Sequence, residues 1–193
     1  MPGNDPLDNG SDLSMGVQRF FSRLTTPLYA VIDTARDRRA LSLLEDADCD
    51  YQILHPPRLS LAMDRRGPHL ILLRPDSFFF NRLIHAGWGN SWGIFLAGPS
   101  DIATVRRHLR RLLFVTLQDG QRFMFRFYDP RVLREFLPNS SERELRLFFG
   151  PLTAIYLESR DGREVACYSL ERSRETEEHL SCEGLREYKV KLT

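Results

Sequence analysis

The chain has 193 residues, which suits one domain, or one domain with a small appendage. Its 27 basic and 26 acidic residues nearly cancel, so no overall field attracts nucleic acid or an anionic membrane. Three cysteines argue for a reducing compartment and against a disulfide scaffold. The first residues lack the features of a secretory signal, and no apolar run approaches the roughly 20 residues of a membrane span. We therefore expect a soluble, cytoplasmic protein.

The first half of the chain alternates apolar runs with helical periodicity. Residues 1–14 have little to bury, which predicts a disordered tail, and a short amphipathic helix is predicted over 17–24. Proline-rich residues 55–68 predict a loop. The predicted strands are 28–32, 51–54, 70–73 and 92–96, and the predicted helices between and after them are 36–47, 77–87 and 100–112. This alternation favours parallel or mixed strand pairing.

The second half contains two predicted hairpins with Asp-Gly turns between their strands, which are 114–117 with 122–128 and 152–158 with 164–170. In the first hairpin, Phe123, Phe125 and Phe127 share one face, and we expect that face to belong to the core. Two helices are predicted between the hairpins. The first begins with Asp129 as its N-cap, followed by Pro130, and ends before Pro138. The second begins with a capping box at Ser141 and Glu144 and ends at Gly150.

These elements predict an α+β fold, with a mixed central β-sheet flanked by helices and a small C-terminal hairpin extension. The expected organisation is a disordered tail over 1–14, an α/β domain over 15–152 and a short C-terminal extension over 153–193. Within the extension, charged residues 171–184 predict a loop, and residues 185–192 predict either a last strand or a short helix.

Catalytic and metal-binding patterns are weak. The chain has no phosphate-binding loop or dinucleotide fingerprint. His179 and Cys182 form one isolated pair, which is not a zinc site. Asp33 ends the first strand, where α/β enzymes often place a working carboxylate, but we favour the alternative in which it caps the helical segment that follows. Glu187 and Lys189 match only half of a nuclease pattern. We therefore predict no catalytic residue, no metal site and no cofactor.

Binding residues are easier to nominate, although each has a structural alternative. Trp88 and Trp92 bracket a glycine-rich turn, where they are either core residues or exposed anchors of the kind enriched at interfaces. The predicted helix 100–112 carries an arginine-rich face that is solvated, or pairs with an acidic protein, or tracks phosphates. Arg126 pairs with Asp129 or faces a partner. The candidate partner-binding residues are Trp88, Trp92, Arg106, Arg107, Arg110, Arg126, Arg131, Arg163 and Arg172.

Several blocks together resemble one bacterial family. They are Leu-Tyr-Ala-Val-Ile-Asp at 28–33, Arg-Asp at 36–37, Gly-Trp-Gly-Asn-Ser-Trp-Gly-Ile-Phe-Leu at 87–96, His-Leu-Arg-Arg at 108–111 and Phe-Arg-Phe-Tyr-Asp-Pro-Arg-Val-Leu at 125–133. Their order and spacing, over about 28–152, are similar to those of the effector-adaptor (chaperone) family of type VI secretion.

The resemblance implies a cytoplasmic adaptor without enzymatic activity. Such a protein binds a secreted effector protein and helps to load it onto the VgrG spike. Many members carry a longer C-terminal lobe, so the shorter segment after residue 152 implies a reduced or differently built grip on the partner. We expect no nucleic-acid or membrane partner. The alternatives are a small hydrolase or nuclease that uses Asp33 or the Glu187 region, and an immunity protein that neutralises a toxin.

Overall fold

The computed structural model describes residues 8–47, 49–55, 66–116, 119–172 and 182–192. The helices of these residues are α1 (Asp8–Phe21), α2 (Arg38–Glu45), α3 (Phe78–Gly87), α4 (Ile102–Leu112), α5 (Pro130–Phe136) and α6 (Glu142–Phe149), with a 3-10 turn at Leu137–Asn139. The strands are β1 (Leu28–Asp33), β2 (Tyr51–Ile53), β3 (Pro68–Leu73), β4 (Gly93–Ala97), β5 (Phe114–Thr116), β6 (Arg122–Met124), β7 (Ala154–Glu158), β8 (Glu164–Arg172) and β9 (Cys182–Lys191). None of the described helices combines the length and apolar character needed to cross a bilayer.

Seven strands form one sheet in the order β2-β3-β1-β4-β7-β8-β9, and β5 and β6 form a separate two-stranded sheet. This confirms the predicted α+β class. The expected parallel or mixed pairing is wrong, because every described pair of strands is antiparallel. The reason is the placement of β2 at the edge beside β3, which lets β3 run back along β1. Strand β4 then lies antiparallel on the other side of β1.

Helices cover both faces of the large sheet. Leu28, Ala30 and Ile32 of β1 belong to the core shared with α1, α2 and α3, and Tyr29 and Val31 belong to the core shared with α4, α5 and α6. Successive side chains of a strand point to opposite faces. Because both faces of β1 are covered, its sequence is a continuous apolar run and does not alternate with polar residues.

Most of the predicted helix ends are confirmed. The Ser77 side chain accepts a hydrogen bond from the backbone of α3, and Asp129 caps α5 ahead of Pro130. Ser141 and Glu144 form the predicted capping box. Helix α4 is capped by Asp101, one residue later than predicted, and the Asp101 carboxylate accepts from the first turn of that helix.

The N-terminal helix is longer than predicted. Residues 8–14, which composition placed in a disordered tail, form the first half of α1, and residues 1–7 lie outside the described residues. Leu13, Val17 and Phe21 supply the apolar stripe that holds α1 on the sheet. The prediction from composition missed this helix. A few apolar residues at helical spacing are enough to stabilise a helix when they pack against a sheet.

The C-terminal strands belong to the main sheet, because β7 pairs with β4, β8 with β7, and β9 with β8. The expected second hairpin is therefore confirmed. Strands β8 and β9 extend into the segment predicted as the 171–184 loop, whose middle lies outside the described residues. Residues 185–192, for which the sequence allowed either a strand or a short helix, belong to the end of strand β9 up to Lys191. The predicted loop over 55–68 is described only at its ends, where β3 already begins at Pro68.

The expectation that Phe123, Phe125 and Phe127 form one buried face is wrong for Phe123. Strand β6 ends at Met124, and only the Phe125 amide continues the pairing by donating to the Leu113 carbonyl. Phe127 is fully buried, Phe125 is half-buried and Phe123 is 49% exposed. Burial of the three phenylalanines therefore increases along the chain from Phe123 to Phe127.

This gradient predicts different costs for two equal truncations. Phe127→Ala should lower the free energy of unfolding by about 3–5 kcal/mol, because it empties a fully buried site. Phe123→Ala, the matched control, should cost much less because half of its ring is already in water. Urea denaturation measures both values. Equal losses in the two variants would contradict the described burial.

Candidate functional site: an arginine-lined cleft

A cleft of about 790 Å³ opens where β1 ends. Three separate parts of the chain form its walls: the end of β1, the residues around β2 and β3, and the segment from β6 into α5. Its lining residues are Asp33, Ala35, Arg36, His55, Arg66, Gly67, Met124, Arg126, Tyr128, Asp129 and Arg131. Four arginines against two aspartates make this lining positive. Because guanidinium groups pair with carboxylates and phosphates through two parallel hydrogen bonds, the cleft is suited to an anionic group.

Asp33 is fixed at the end of β1 by its own backbone and by the turn that follows. Its amide donates to the Trp92 carbonyl at 2.8 Å, and its carboxylate accepts from the Ala35 amide at 3.0 Å. Asp33 therefore caps a turn, whereas the cap of α2 is Asp37. Burial raises the pKa of Asp33, although the Ala35 hydrogen bond and the charges of Arg126 and Arg36 act in the opposite direction.

Asp129 is paired with Arg131, whose Nε lies 2.9 Å from its Oδ1 and whose Nη2 contacts its Oδ2. Burial opposes the charged form of Asp129, but the Arg131 hydrogen bonds outweigh it and lower the pKa. The alternative in which Arg126 pairs with Asp129 is therefore wrong. Arg126 is exposed, and its guanidinium makes no hydrogen bond or ion pair to any described residue, which leaves that group available at the cleft.

Tyr128 forms part of the cleft between these charged groups. Its hydroxyl donates to the Met124 sulfur at 3.8 Å, and its ring is buried. Burial, together with the charges of Asp33 and Asp129, raises the pKa of Tyr128 to about 12. The phenol is therefore protonated at neutral pH and acts as a structural donor.

Both tryptophans use their indole N–H groups in hydrogen bonds within the fold. Trp92 is 2% exposed, its Nε1 donates to Asp37 at 3.2 Å, and the Arg39 guanidinium lies over its ring at 5.5 Å. Trp88 is half-buried, and its Nε1 donates to the Gly162 carbonyl at 2.7 Å. The core-packing alternative is therefore confirmed for Trp92, which a partner cannot reach, and Trp88 bridges to the turn between β7 and β8.

The loop between the tryptophans is held by a buried carboxylate. Glu158, 6% exposed at the end of β7, accepts from the Gly89 amide at 2.7 Å, the Ser91 amide at 2.8 Å and the Ser91 hydroxyl at 3.0 Å. Burial raises the Glu158 pKa, and the hydrogen bonds from this loop oppose that shift. The Asn90 carbonyl in turn accepts from Arg36 Nε at 3.1 Å. Glu158 thus positions one of the cleft arginines through the loop.

The arginines of α4 are divided between structure and solvent. Arg106 donates to the Ile53 carbonyl through Nε and Nη2, at 3.3 and 3.2 Å, and so joins α4 to β2. On the same helix, His108 is bonded to the Phe148 carbonyl. Arg107 is exposed and Arg110 is half-buried, and neither lines the cleft. The helix is therefore only partly available as the binding face that its sequence suggested.

Of the nine candidates, the structure places only Arg126 and Arg131 in the cleft. Arg163 is exposed beside the turn between β7 and β8, and the Arg172 side chain is outside the described part of the structure. Sequence reasoning missed Arg36 and Arg66 as site residues. The position of Arg36, just after Asp33, was a usable signal. Arg66 follows a proline-rich segment whose course no local pattern predicts.

Comparison with known families decides the relationship of the chain. A model described as a domain of unknown function, DUF4123, matches residues 28–147. The chain belongs to this family. DUF4123 is associated with type VI secretion adaptors. The matched range contains every cleft residue from Asp33 to Arg131 and all five of the resembling blocks. No curated protein and no solved structure matches the chain.

The described part of this DUF4123 chain contains no cluster of three or more histidine, cysteine or acidic side chains that could hold a metal ion. Cys167 is a buried thiol, and burial raises its pKa to about 11. Such a thiol is mostly protonated at neutral pH and is a poor nucleophile. His179, half of the isolated pair noted in the sequence, lies outside the described residues.

Removal of the buried carboxylate should loosen the tryptophan loop. Glu158→Ala leaves the Gly89 and Ser91 amides without their acceptor and should cost about 1.5–3 kcal/mol of unfolding free energy. Glu135→Ala is the control, because Glu135 meets Arg160 in an exposed ion pair that contributes little. Urea denaturation followed by tryptophan fluorescence measures both. A Glu158→Ala variant as stable as Glu135→Ala would show that the loop does not depend on this carboxylate.

Proposed function

We propose that this DUF4123 protein is a bacterial cytoplasmic adaptor that binds a type VI secretion effector and loads it onto the VgrG spike. The observation that carries the proposal is the position of the arginine-lined cleft inside the family domain. A positive cleft at the end of the central strand gives such an adaptor a surface for partner carboxylates. The association of DUF4123 with type VI secretion supplies the biological setting.

The charged groups of the cleft favour binding over catalysis. The guanidinium groups of Arg36, Arg66 and Arg126 are hydrogen-bond donors that cannot accept, which suits them to binding an anion. Asp129 is engaged by Arg131, and Tyr128 remains protonated. These side chains can hold an anion in place, which is what recognition of a partner requires.

The adaptor proposal is tested by deletion and copurification. A tagged copy of the chain, purified from its native cell, should retain one effector protein and the VgrG spike, as identified by mass spectrometry. Deletion of its gene should abolish secretion of that effector while other components of the apparatus are still released. Normal secretion of all effectors in the deletion strain, or copurification of neither protein, would exclude an adaptor. Protection of cells from a toxin without any effect on secretion would support the immunity alternative.

Asp33 provides the test against the rival enzymatic function, because its burial raises its pKa and general acids commonly show this property. Asp33→Asn keeps an oxygen to accept from the Ala35 amide and removes only the titratable group. An adaptor carrying this change should restore effector delivery to the deletion strain. An enzyme that uses Asp33 should lose a factor of about 100 or more in turnover. Loss of delivery by a variant that folds and retains its partners would point to chemistry at Asp33.

A further inference from the structure

We propose that the arginine-lined cleft docks a short acidic segment of a partner protein. Carboxylates of that segment pair with Arg66 and Arg126, and one of its apolar side chains covers Met124. The proposal deepens the proposed function and rests on it only in taking the partner to be a protein. It names the chemistry that the partner must present, whether the partner is the effector or the spike.

The internal pairing of the cleft leaves a positive surplus. Arg131 is neutralised by Asp129, and Arg36 is held through Nε by the Asn90 carbonyl. Arg66 and Arg126 are exposed, and their guanidinium groups make no hydrogen bond or ion pair to the described residues. Since each guanidinium offers a planar fork of donors, these two arginines fit carboxylates presented side by side.

The rim of the cleft is apolar on the hairpin side. Met124 lines the cleft there and is 42% exposed. Methionine adapts its shape to varied apolar partners, which suits a contact at the edge of a polar site. A protein segment can satisfy both requirements because it carries apolar side chains between its carboxylates.

The same features argue against nucleic acid as the occupant. Proteins that bind single strands stack bases on exposed aromatic rings in a groove that follows the backbone. The ring that lines this cleft, Tyr128, is buried. The cleft volume of about 790 Å³ suits a few side chains. The chain as a whole carries a net charge of +1, so no overall field draws in a polyanion.

Parts of the cleft are fixed before any partner arrives. The Arg131–Asp129 pair is held at the start of α5, and Arg36 is held by the loop that Glu158 fastens. These contacts hold Arg36 and Arg131 in place beside Arg66 and Arg126. A site that is ordered in advance loses less conformational entropy on binding.

Selection from a random dodecapeptide library displayed on phage tests the proposal with the full-length protein as target. The selected peptides should be enriched in Asp and Glu next to an aromatic or aliphatic residue. Fluorescence anisotropy with a labelled selected peptide then gives the Kd. For Arg66→Glu with Arg126→Glu, the Kd should rise at least about tenfold, or about 1.4 kcal/mol. Met124→Ser should raise it about threefold, because it removes only the apolar contact at the rim.

Matched controls lie outside the cleft. Arg107→Glu with Arg143→Glu makes the same charge change at two exposed positions, and Leu147→Ser removes an apolar side chain that is 64% exposed on α6. Both controls should bind the peptide within about twofold of wild type, since neither site contributes to the cleft. Circular dichroism establishes that all variants are folded.

Three results would overturn the proposal. One is a selection that yields no enrichment, or enrichment without acidic residues. Another is an acidic peptide whose affinity is the same for the cleft variants and the controls. The third is a labelled single-stranded DNA of about 20 nucleotides that binds in place of acidic peptides and is lost in the cleft variants. The peptide assay contains no secretion component, so its result does not depend on whether the protein acts as an adaptor in cells. Likewise, failure to bind acidic peptides would leave the secretion test unaffected.

Discussion

The carboxylate of Glu158 joins the two halves of the fold. A buried charge is costly unless it is hydrogen-bonded, and Glu158 meets this condition by accepting two amides and a hydroxyl from the loop between Trp88 and Trp92. The loop connects α3 to β4, whereas Glu158 ends β7, so the contact links residues 67 and 69 positions apart. Gly89 and Ser91 both have positive φ angles, which turn their amides toward this one acceptor.

The cleft depends on this loop through three further contacts. The Trp92 carbonyl accepts from the Asp33 amide, and the Trp92 indole donates to the Asp37 carboxylate. The Asn90 carbonyl accepts from Arg36 Nε. At the end of the loop, Gly93 lies so close to β1 that a Cβ atom there would be 2.0 Å from the Val31 carbonyl oxygen. Only glycine allows β4 to approach so closely, and that approach sets the position of the β1 end from which Asp33 enters the cleft.

Sequence reasoning succeeded where the signal is local. The capping box at Ser141 and Glu144, and the Asp-Gly turns of both hairpins, depend on residues within a few positions of each other. It failed where long-range contacts decide, as in the antiparallel pairing of β3 with β1, which depends on β2 occupying the sheet edge. The predicted burial of Phe123 was wrong for the same reason. Alternation predicts which side chains share a face of a strand, but not whether another element covers that face.

The candidate site was predictable only in part, because the fold assembles it from distant segments. Arg126 and Arg131 stand in a block whose sequence was distinctive, whereas Arg66 reaches the cleft only through the pairing of β3 with β1. The tryptophans were distinctive for a structural reason, since both indole donors are used inside the fold. A conspicuous motif can therefore mark the scaffold of a binding site and not its contact surface.

Charge balance determines how the cleft can discriminate between partners. The whole chain has a net charge of +1, so attraction over long distances is weak, and salt screens charges beyond about 8–10 Å. The surplus in the cleft, four arginines against two aspartates, acts only on a segment already close to it. Recognition then depends on the match between guanidinium forks and carboxylates after contact, and hence chiefly on how slowly the complex dissociates. The proposed adaptor would gain from this arrangement, because abundant acidic proteins of the cell are not drawn to it from a distance.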